Sequence, residues 1–232
     1  PLVRRIYVAF PDTRGKRFKR KMTITGNPVR KGLRGSRAET ENGPARNGTP
    51  KERFALLIFG GSQGARRINE AVTKALDFLP LERVSFMHQT GVDDLPSIRS
   101  AYGARGAGAA VEAFFVDMAS RYLAADLVIC RAGATTVAEV TALGKPAIFV
   151  PYPFAADDHQ RMNAQSLVDQ GAAEMILEKD LTGELLAERI LHFESNPKAL
   201  AAMAERARAF GKPDAARRIV EDCYELLAGA EK

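Results

Sequence analysis

A doubly wound α/β fold on a mostly parallel, Rossmann-like sheet is predicted by two features of this sequence. Downstream of residue 52, apolar runs of strand length alternate with segments of helical periodicity, the spacing of successive βα units. Two of the strand-to-helix junctions, at Gly60-Gly61 and at Gly133, are glycine turns of the kind that open a helix towards an anion. Strands are expected at 54–59, 84–88, 111–114, 127–130, 147–150 and 174–177. Helices are expected between them at 65–79, 95–102, 118–124, 136–143, 160–170 and 183–194. Two further helices, 198–210 and 215–227, close the chain, with Gly211 and Pro213 as stop and restart. No internal repeat is found.

Composition narrows the class of protein. The 232 residues are 46% hydrophobic and 27% charged, with no Trp, an ordinary balance for a globular domain. Apolar runs stop well short of the ~20 residues that cross a bilayer, so no membrane span is expected. The opening ten residues lack the apolar segment of a signal peptide, and a cytoplasmic location is expected. Cys130 and Cys223 are far apart in apolar surroundings, which fits neither a disulfide framework nor a metal or redox pair. Both are expected to be buried and inert.

The net charge of +6 has a local source: eleven Lys and Arg residues lie among the first 34, from Arg4 to Arg34. Such a lead-in can meet nucleic acid, an anionic membrane surface or a phosphorylated ligand, although a solvated segment is the commoner meaning. Residues 31–51 are rich in Gly, Arg, Asn, Glu and Thr and mark a boundary.

Three segments carry candidate chemistry. In Gly60-Gly61-Ser62-Gln63-Gly64-Ala65 a buried-type strand enters a glycine turn and then a helix, whose N-terminal amides favour a phosphate. It is neither a P-loop nor a GxGxxG turn, and a glycine turn alone is more often only a turn. The second segment, Cys130 to Glu139, repeats the arrangement. Its candidate contacts are Arg131, the backbone donors of Ala134, Thr135 and Thr136, and Glu139, which can accept from two ribose hydroxyls. The competing interpretation makes Thr135 or Thr136 a helix cap with Glu139 as its capping-box partner.

The third segment runs from Pro151 to Ala164. His159, Gln160 and Asn163 share one helical face and suit sugar hydroxyls, while Asp157 or Asp158 can cap the helix. A metal on Asp157, Asp158 and His159 is not expected, because successive residues rarely serve one ion. His88 and His192 are assigned to structure. All three segments follow strands of one sheet, at the edge where open α/β sheets bind ligands, and together they describe a nucleotide-sugar site.

These residues resemble the MurG family of peptidoglycan N-acetylglucosaminyltransferases, which make lipid II from lipid I. The resemblance runs from about Pro11 to the end, through Thr25-Gly26-Asn27-Pro28-Val29-Arg30, the Gly60 turn, His88-Gln89-Thr90-Gly91, Phe114 to Met118, Arg131 to Glu139 and Asp157 to Ala164. It implies the carboxyl-terminal half of a two-domain GT-B glycosyltransferase with a donor site for UDP-N-acetylglucosamine. Arg30 and Ser62, with Gln63 and Gly64 in the same turn, would face the diphosphate. Phe114 and Phe115 would face the uracil, Thr135 and Thr136 the phosphate region, Glu139 the ribose, and Gln160 and Asn163 the sugar. The family inverts the anomeric centre by direct attack of an acceptor hydroxyl, without metal or cofactor.

Family members also carry an amino-terminal domain holding the proposed general base and the acceptor surface, so no catalytic base is assigned here and the isolated chain is expected to be inactive. The expected division is 1–30 as the end of that domain, 31–52 as a basic linker, 53–211 as the UDP-sugar domain, and 212–232 as a helix that packs on the amino-terminal domain. Exposed, that helix offers a surface for dimerisation. The implied acceptor is undecaprenyl-pyrophosphoryl-MurNAc-pentapeptide, with the whole protein peripheral on the inner face of the plasma membrane. A UDP-N-acetylglucosamine epimerase-like domain and a basic polyanion-binding module are the competing functions. Nucleic acid is not expected, because the lead-in has no interleaved aromatics.

Overall fold

The computed structural model describes residues 3–10, 16–30, 32–33, 53–61 and 65–228. In chain order the strands are β1 (Ile6–Val8), β2 (Met22–Ile24), β3 (Phe54–Phe59), β4 (Val84–Gln89), β5 (Ala109–Glu112), β6 (Leu127–Cys130), β7 (Ala147–Phe149) and β8 (Glu174–Met175). The α-helices that follow β2 are α1 (Arg66–Ala75), α2 (Leu95–Ala104), α3 (Met118–Ala124), α4 (Ala134–Leu143), α5 (His159–Val168), α6 (Gly183–Ser195), α7 (Pro197–Phe210) and α8 (Ala215–Ala228). The main sheet has six parallel strands in the order β5-β4-β3-β6-β7-β8. The chain moves outward from β3 through β4 to β5, returns to β6, and then moves outward the other way. That reversal opens a crevice between the loops after β3 and β6.

Side-chain alternation builds two cores, one on each face of the sheet. Leu56 and Ile58 of β3 join Leu127 and Ile129 of β6 on the face covered by α1, α2 and α6. Leu57 and Phe59 join Val128 and Cys130 on the face covered by α3, α4 and α5. Strands buried on both faces need continuous apolar runs, which is why 54–59 and 127–130 are found where the sequence predicts them. Cys130 is buried, and burial pushes its thiol pKa up. Cys223 departs from expectation: it is exposed, at the edge of the contact between α8 and β1, with Sγ 3.4 Å from the Tyr7 hydroxyl.

Gly183, the first residue of α6, lies against α1. A Cβ there would sit 2.5 Å from Lys74 Cβ and 2.7 Å from the Lys74 backbone carbon. The backbone cannot give way as a flexible side chain would. Gly183→Ala is therefore expected to lower unfolding free energy by about 1–3 kcal/mol, measured as a shift in urea midpoint with an unchanged slope.

The lead-in forms its own two-stranded sheet, β1 parallel to β2, and β1 meets α8. Arg5 and the Tyr7 hydroxyl each reach an oxygen of Asp222 at 2.7 Å, and Arg4 donates to the Leu226 carbonyl at 3.1 Å. The hydrogen bond to Asp222 pushes the Tyr7 pKa up, so its hydroxyl remains a donor. Part of the basic charge is thus spent inside the fold. The opposite side of α8 exposes Val220, Tyr224 and Leu227. Apart from 32–33, the predicted linker lies outside the described residues. Among the described residues no helix is long and apolar enough to cross a membrane.

Candidate functional site

Pairing places Glu112, Gln89, Phe59, Cys130, Phe149 and Met175 side by side in one row across the sheet. The loops with candidate chemistry all leave from that row. Gly60 follows Phe59, Arg131 follows Cys130, and the Phe114 loop follows β5. Ser62, Gln63 and Gly64 lie outside the described residues. Gly61 precedes them at φ +104°, backbone that a side chain would strain.

Across the crevice, Gly133 in extended backbone starts α4, so Ala134, Thr135 and Thr136 form its first turn. First-turn amides have no acceptor within their own helix, and they carry the positive end of its dipole. The predicted capping box does not form: the N-cap position is Gly133, with no side-chain cap. Thr135 Oγ1 instead accepts from Asn27 Nδ2 at 3.1 Å.

Glu139, one turn further, is 2% exposed and is held by Arg30, which donates from Nε at 2.7 Å and from its second guanidinium nitrogen at 3.3 Å. Tyr122, itself buried, donates to the same carboxylate at 3.2 Å. Burial, with the nearby Glu139 carboxylate, keeps that phenol protonated. The lead-in and the carboxylate predicted for a ribose thus meet at one point.

Phe114 and Phe115 separate. Phe114 is 52% exposed, whereas Phe115 is 1% exposed within the core, under the Arg121 guanidinium at 4.5 Å. This corrects the expectation that both rings face a base. β5 ends at Glu112, and the alternation beyond it turns only Phe114 outward.

Sequence reasoning gave Gln89 no task, yet it ties this loop to the glycine turn. Its Nε2 donates to the Gly61 carbonyl at 3.0 Å, and its Oε1 accepts from the Phe115 amide at 2.9 Å. Gln89 is 3% exposed, and its bond to the Phe115 amide is buried. An amide at the last position of a strand, where a loop departs, was the available signal.

The second and third segments are tied to one another. The Arg131 guanidinium is committed to the carbonyls of Val150 and Pro151 at 3.2 Å and to Glu178 at 2.5 Å, and it lies over the Tyr152 ring. Arg131 thereby pins the loop after β7 to the end of β6. Asn163 is buried and donates to the Ala132 carbonyl at 3.0 Å. Gln160 Oε1 accepts from the Ala132 amide at 3.2 Å and the Tyr152 amide at 3.1 Å.

These two side chains of α5 hold both polar groups of Ala132 and so fix the turn that opens α4. His159 is exposed, with Nδ1 2.6 Å from the Ala156 carbonyl, so Nδ1 carries a proton and donates to it. Asp157 and Asp158 take left-handed backbone, φ 52° and 56°, and Asp158, at the N-cap position of α5, makes no side-chain cap. Consecutive non-glycine residues there cost of order 1 kcal/mol or more each, a strain typical of ligand-facing loops.

The geometry now has counterparts among known proteins. Residues 55–219 match the glycosyltransferase family 28 C-terminal domain. The chain is 43% identical over 228 residues to the UDP-N-acetylglucosamine–N-acetylmuramyl-(pentapeptide) pyrophosphoryl-undecaprenol N-acetylglucosamine transferase of Myxococcus xanthus, covering 97% of this chain and 58% of that protein. A crystal structure of MurG from Acinetobacter baumannii superposes with TM-score 0.74 at 34% identity, over 94% of this chain and 60% of that one. UDP-GlcNAc 2-epimerase from Neisseria meningitidis superposes with TM-score 0.58 at 16% identity, over 88% of this chain and 55% of that one, a likeness of fold alone. The chain spans about three fifths of the length of the curated relative and of the MurG structure. On the match over 55–219 and these likenesses, the chain belongs to glycosyltransferase family 28 and contains its carboxyl-terminal domain.

Proposed function

We propose that this chain is the donor-binding part of an inverting, metal-independent glycosyltransferase that moves N-acetylglucosamine from UDP to lipid I, giving lipid II. One observation carries the reading: a buried carboxylate, Glu139, stands one turn inside a helix whose first-turn amides face the switch-point crevice, with an arginine alongside. Adjacent hydroxyls of a ribose suit that carboxylate, and a diphosphate suits the helix start and Arg30. Phe114 supplies an exposed ring for the uracil, and His159 and Gln160 supply polar groups for the sugar. Charge growing on the departing UDP would be stabilised by the α4 amides, donors already oriented before the reaction begins, and by Arg30.

Residues 53–211 would form the donor unit, with 1–30 and 212–232 belonging to a second packing unit. The bonds of Arg5 and Tyr7 to Asp222 support that division. The lipid-linked acceptor, an undecaprenyl-pyrophosphoryl-MurNAc-pentapeptide, would meet the remaining part of the whole protein at the cytoplasmic face of the membrane. The polyanion-binding alternative is weakened because Arg4, Arg5, Lys21 and Arg30 all have internal partners.

The test is base stacking. Phe114→Ala is expected to weaken UDP binding about 10-fold, as measured by calorimetry, with little change in thermal midpoint because the ring is half exposed. Unchanged UDP affinity would remove Phe114 from the site and count against the proposed pose.

A further inference from the structure

We propose that Arg30 is a specificity gate that makes the ribose subsite accessible only to ligands that also carry a diphosphate. This rests on the donor-site reading above and concerns how that site chooses among nucleotides. Arg30 is bidentate on Glu139, and the pair is asymmetric: the carboxylate is 2% exposed and the arginine side chain 55%. Tyr122 donates from within the core. A vicinal diol seeking both carboxylate oxygens from the solvent side therefore has to displace the guanidinium and leave the phenol in place.

The displaced guanidinium has a destination within reach. Asn27 donates to Thr135 in the first turn of α4, so the segment bearing Arg30 runs beside that helix from its start to Glu139. Those two anchor points on α4 are four residues apart, about 6 Å along the axis. An arginine side chain spans that distance by changing rotamer. At the helix start it would meet a diphosphate held by the amides of Ala134, Thr135 and Thr136.

The exchange balances only when both halves of the ligand are present. A nucleoside diphosphate gives Glu139 two hydroxyl donors and gives Arg30 a new anion. A nucleoside takes the carboxylate but leaves the guanidinium without a charged partner. Inorganic pyrophosphate takes the guanidinium but leaves a buried carboxylate supported by Tyr122 alone, an uncompensated charge. Half-ligands are therefore penalised beyond the contacts they lack, and the selection operates on the class of nucleoside diphosphates and their sugar esters.

The experiment compares UDP with uridine on the full chain and on Arg30→Met at pH 7.5, with thermal midpoints recorded for both proteins. Wild-type protein is expected to bind UDP and to bind uridine very weakly. In Arg30→Met, uridine is expected to bind about 5–10-fold tighter than to wild type, while UDP binds at least ~10-fold weaker, opposite shifts that general damage to the site cannot produce. Arg30→Lys, which keeps the charge but not the fork, should shift uridine in the same direction by less, and it carries the test if the methionine variant unfolds.

Uridine affinity unchanged or weakened in both variants, with UDP still binding wild type, overturns the gate and leaves the donor site standing. Failure of wild type to bind UDP overturns both.

Discussion

Replacing Glu139 by Ala is expected to weaken UDP and UDP-N-acetylglucosamine binding by at least ~100-fold. In the proposed pose the carboxylate accepts two ribose hydroxyls, and hydrogen bonds to a charged group out of water contribute about 1.5–3 kcal/mol each. Losing both is about 3 kcal/mol at the low end, which is two orders of magnitude in affinity. The variant also removes the acceptor of Tyr122 and Arg30, so a structural explanation has to be separated. Glu139→Gln does this: it keeps shape and one acceptor oxygen and is expected to lose about 10-fold. Equal and small losses in both variants would place the ribose elsewhere.

The second large effect is on stability, and it comes from a polar network inside one of the two cores. His88 on β4 has no exposed surface; its Nδ1 lies 3.1 Å from the Tyr102 hydroxyl and its Nε2 lies 2.9 Å from Asn69 Oδ1. Asn69 Nδ2 donates to the Thr90 carbonyl at 3.0 Å and to Asp94 at 2.8 Å. Since both amide hydrogens of Asn69 are used, its oxygen is the acceptor, His88 carries its proton on Nε2, and Tyr102 donates to Nδ1.

Every member of that chain of bonds is satisfied. Asn69→Leu leaves the imidazole N–H, the Thr90 carbonyl and a carboxylate oxygen unpaired, and is expected to cost about 3–5 kcal/mol. For a chain of this length that is a fall of roughly 10 °C in thermal midpoint. Because Asn69 lies on α1, just behind the glycine turn, donor affinity should fall in parallel.

The same histidine sets a pH dependence. Burial lowers its pKa to about 3 in the folded protein, against about 6.5 unfolded. The unfolded chain binds the proton first, so stability is full above pH ~6.5 and falls as pH drops towards 3, by up to ~1.4 kcal/mol per unit. Denaturant midpoints at pH 5 and 7.5 measure this slope, and His88→Asn should flatten it.

Most of the main sheet was legible because strands buried on both faces are apolar from end to end; β3 and β6 fall where they were expected. β5 was placed two residues late. Ala109 and Ala110 carry little apolar weight, while Phe114 and Phe115 look like strand residues, and only pairing with β4 fixes the register. β1 and β2, three residues each, are held by one another and not by any periodicity of their own.

The local structure was legible at its charged and glycine positions: Gly133 opens α4 and Glu139 stands one turn inside it. Side chains that serve the backbone were harder to read. Arg131, Gln160 and Asn163 have ligand-like chemistry, but their partners are carbonyls and amides of distant loops, which a linear sequence does not display. Gln89 and Tyr122 were overlooked for the same reason, since each acts on a group far away in the chain.

The most direct test is to map where UDP-N-acetylglucosamine binds, using backbone amide shifts of the isotope-labelled chain at about 1 mM ligand, where even a ~10 μM site is filled. The expected result is a set of shifted signals confined to the carboxyl edge of the sheet: Gly61, Phe114, residues 132–136, Glu139 and Arg30. Shifts confined to the basic residues before Gly26, or no shifts at all, would contradict the assignment of this chain as a donor-binding domain.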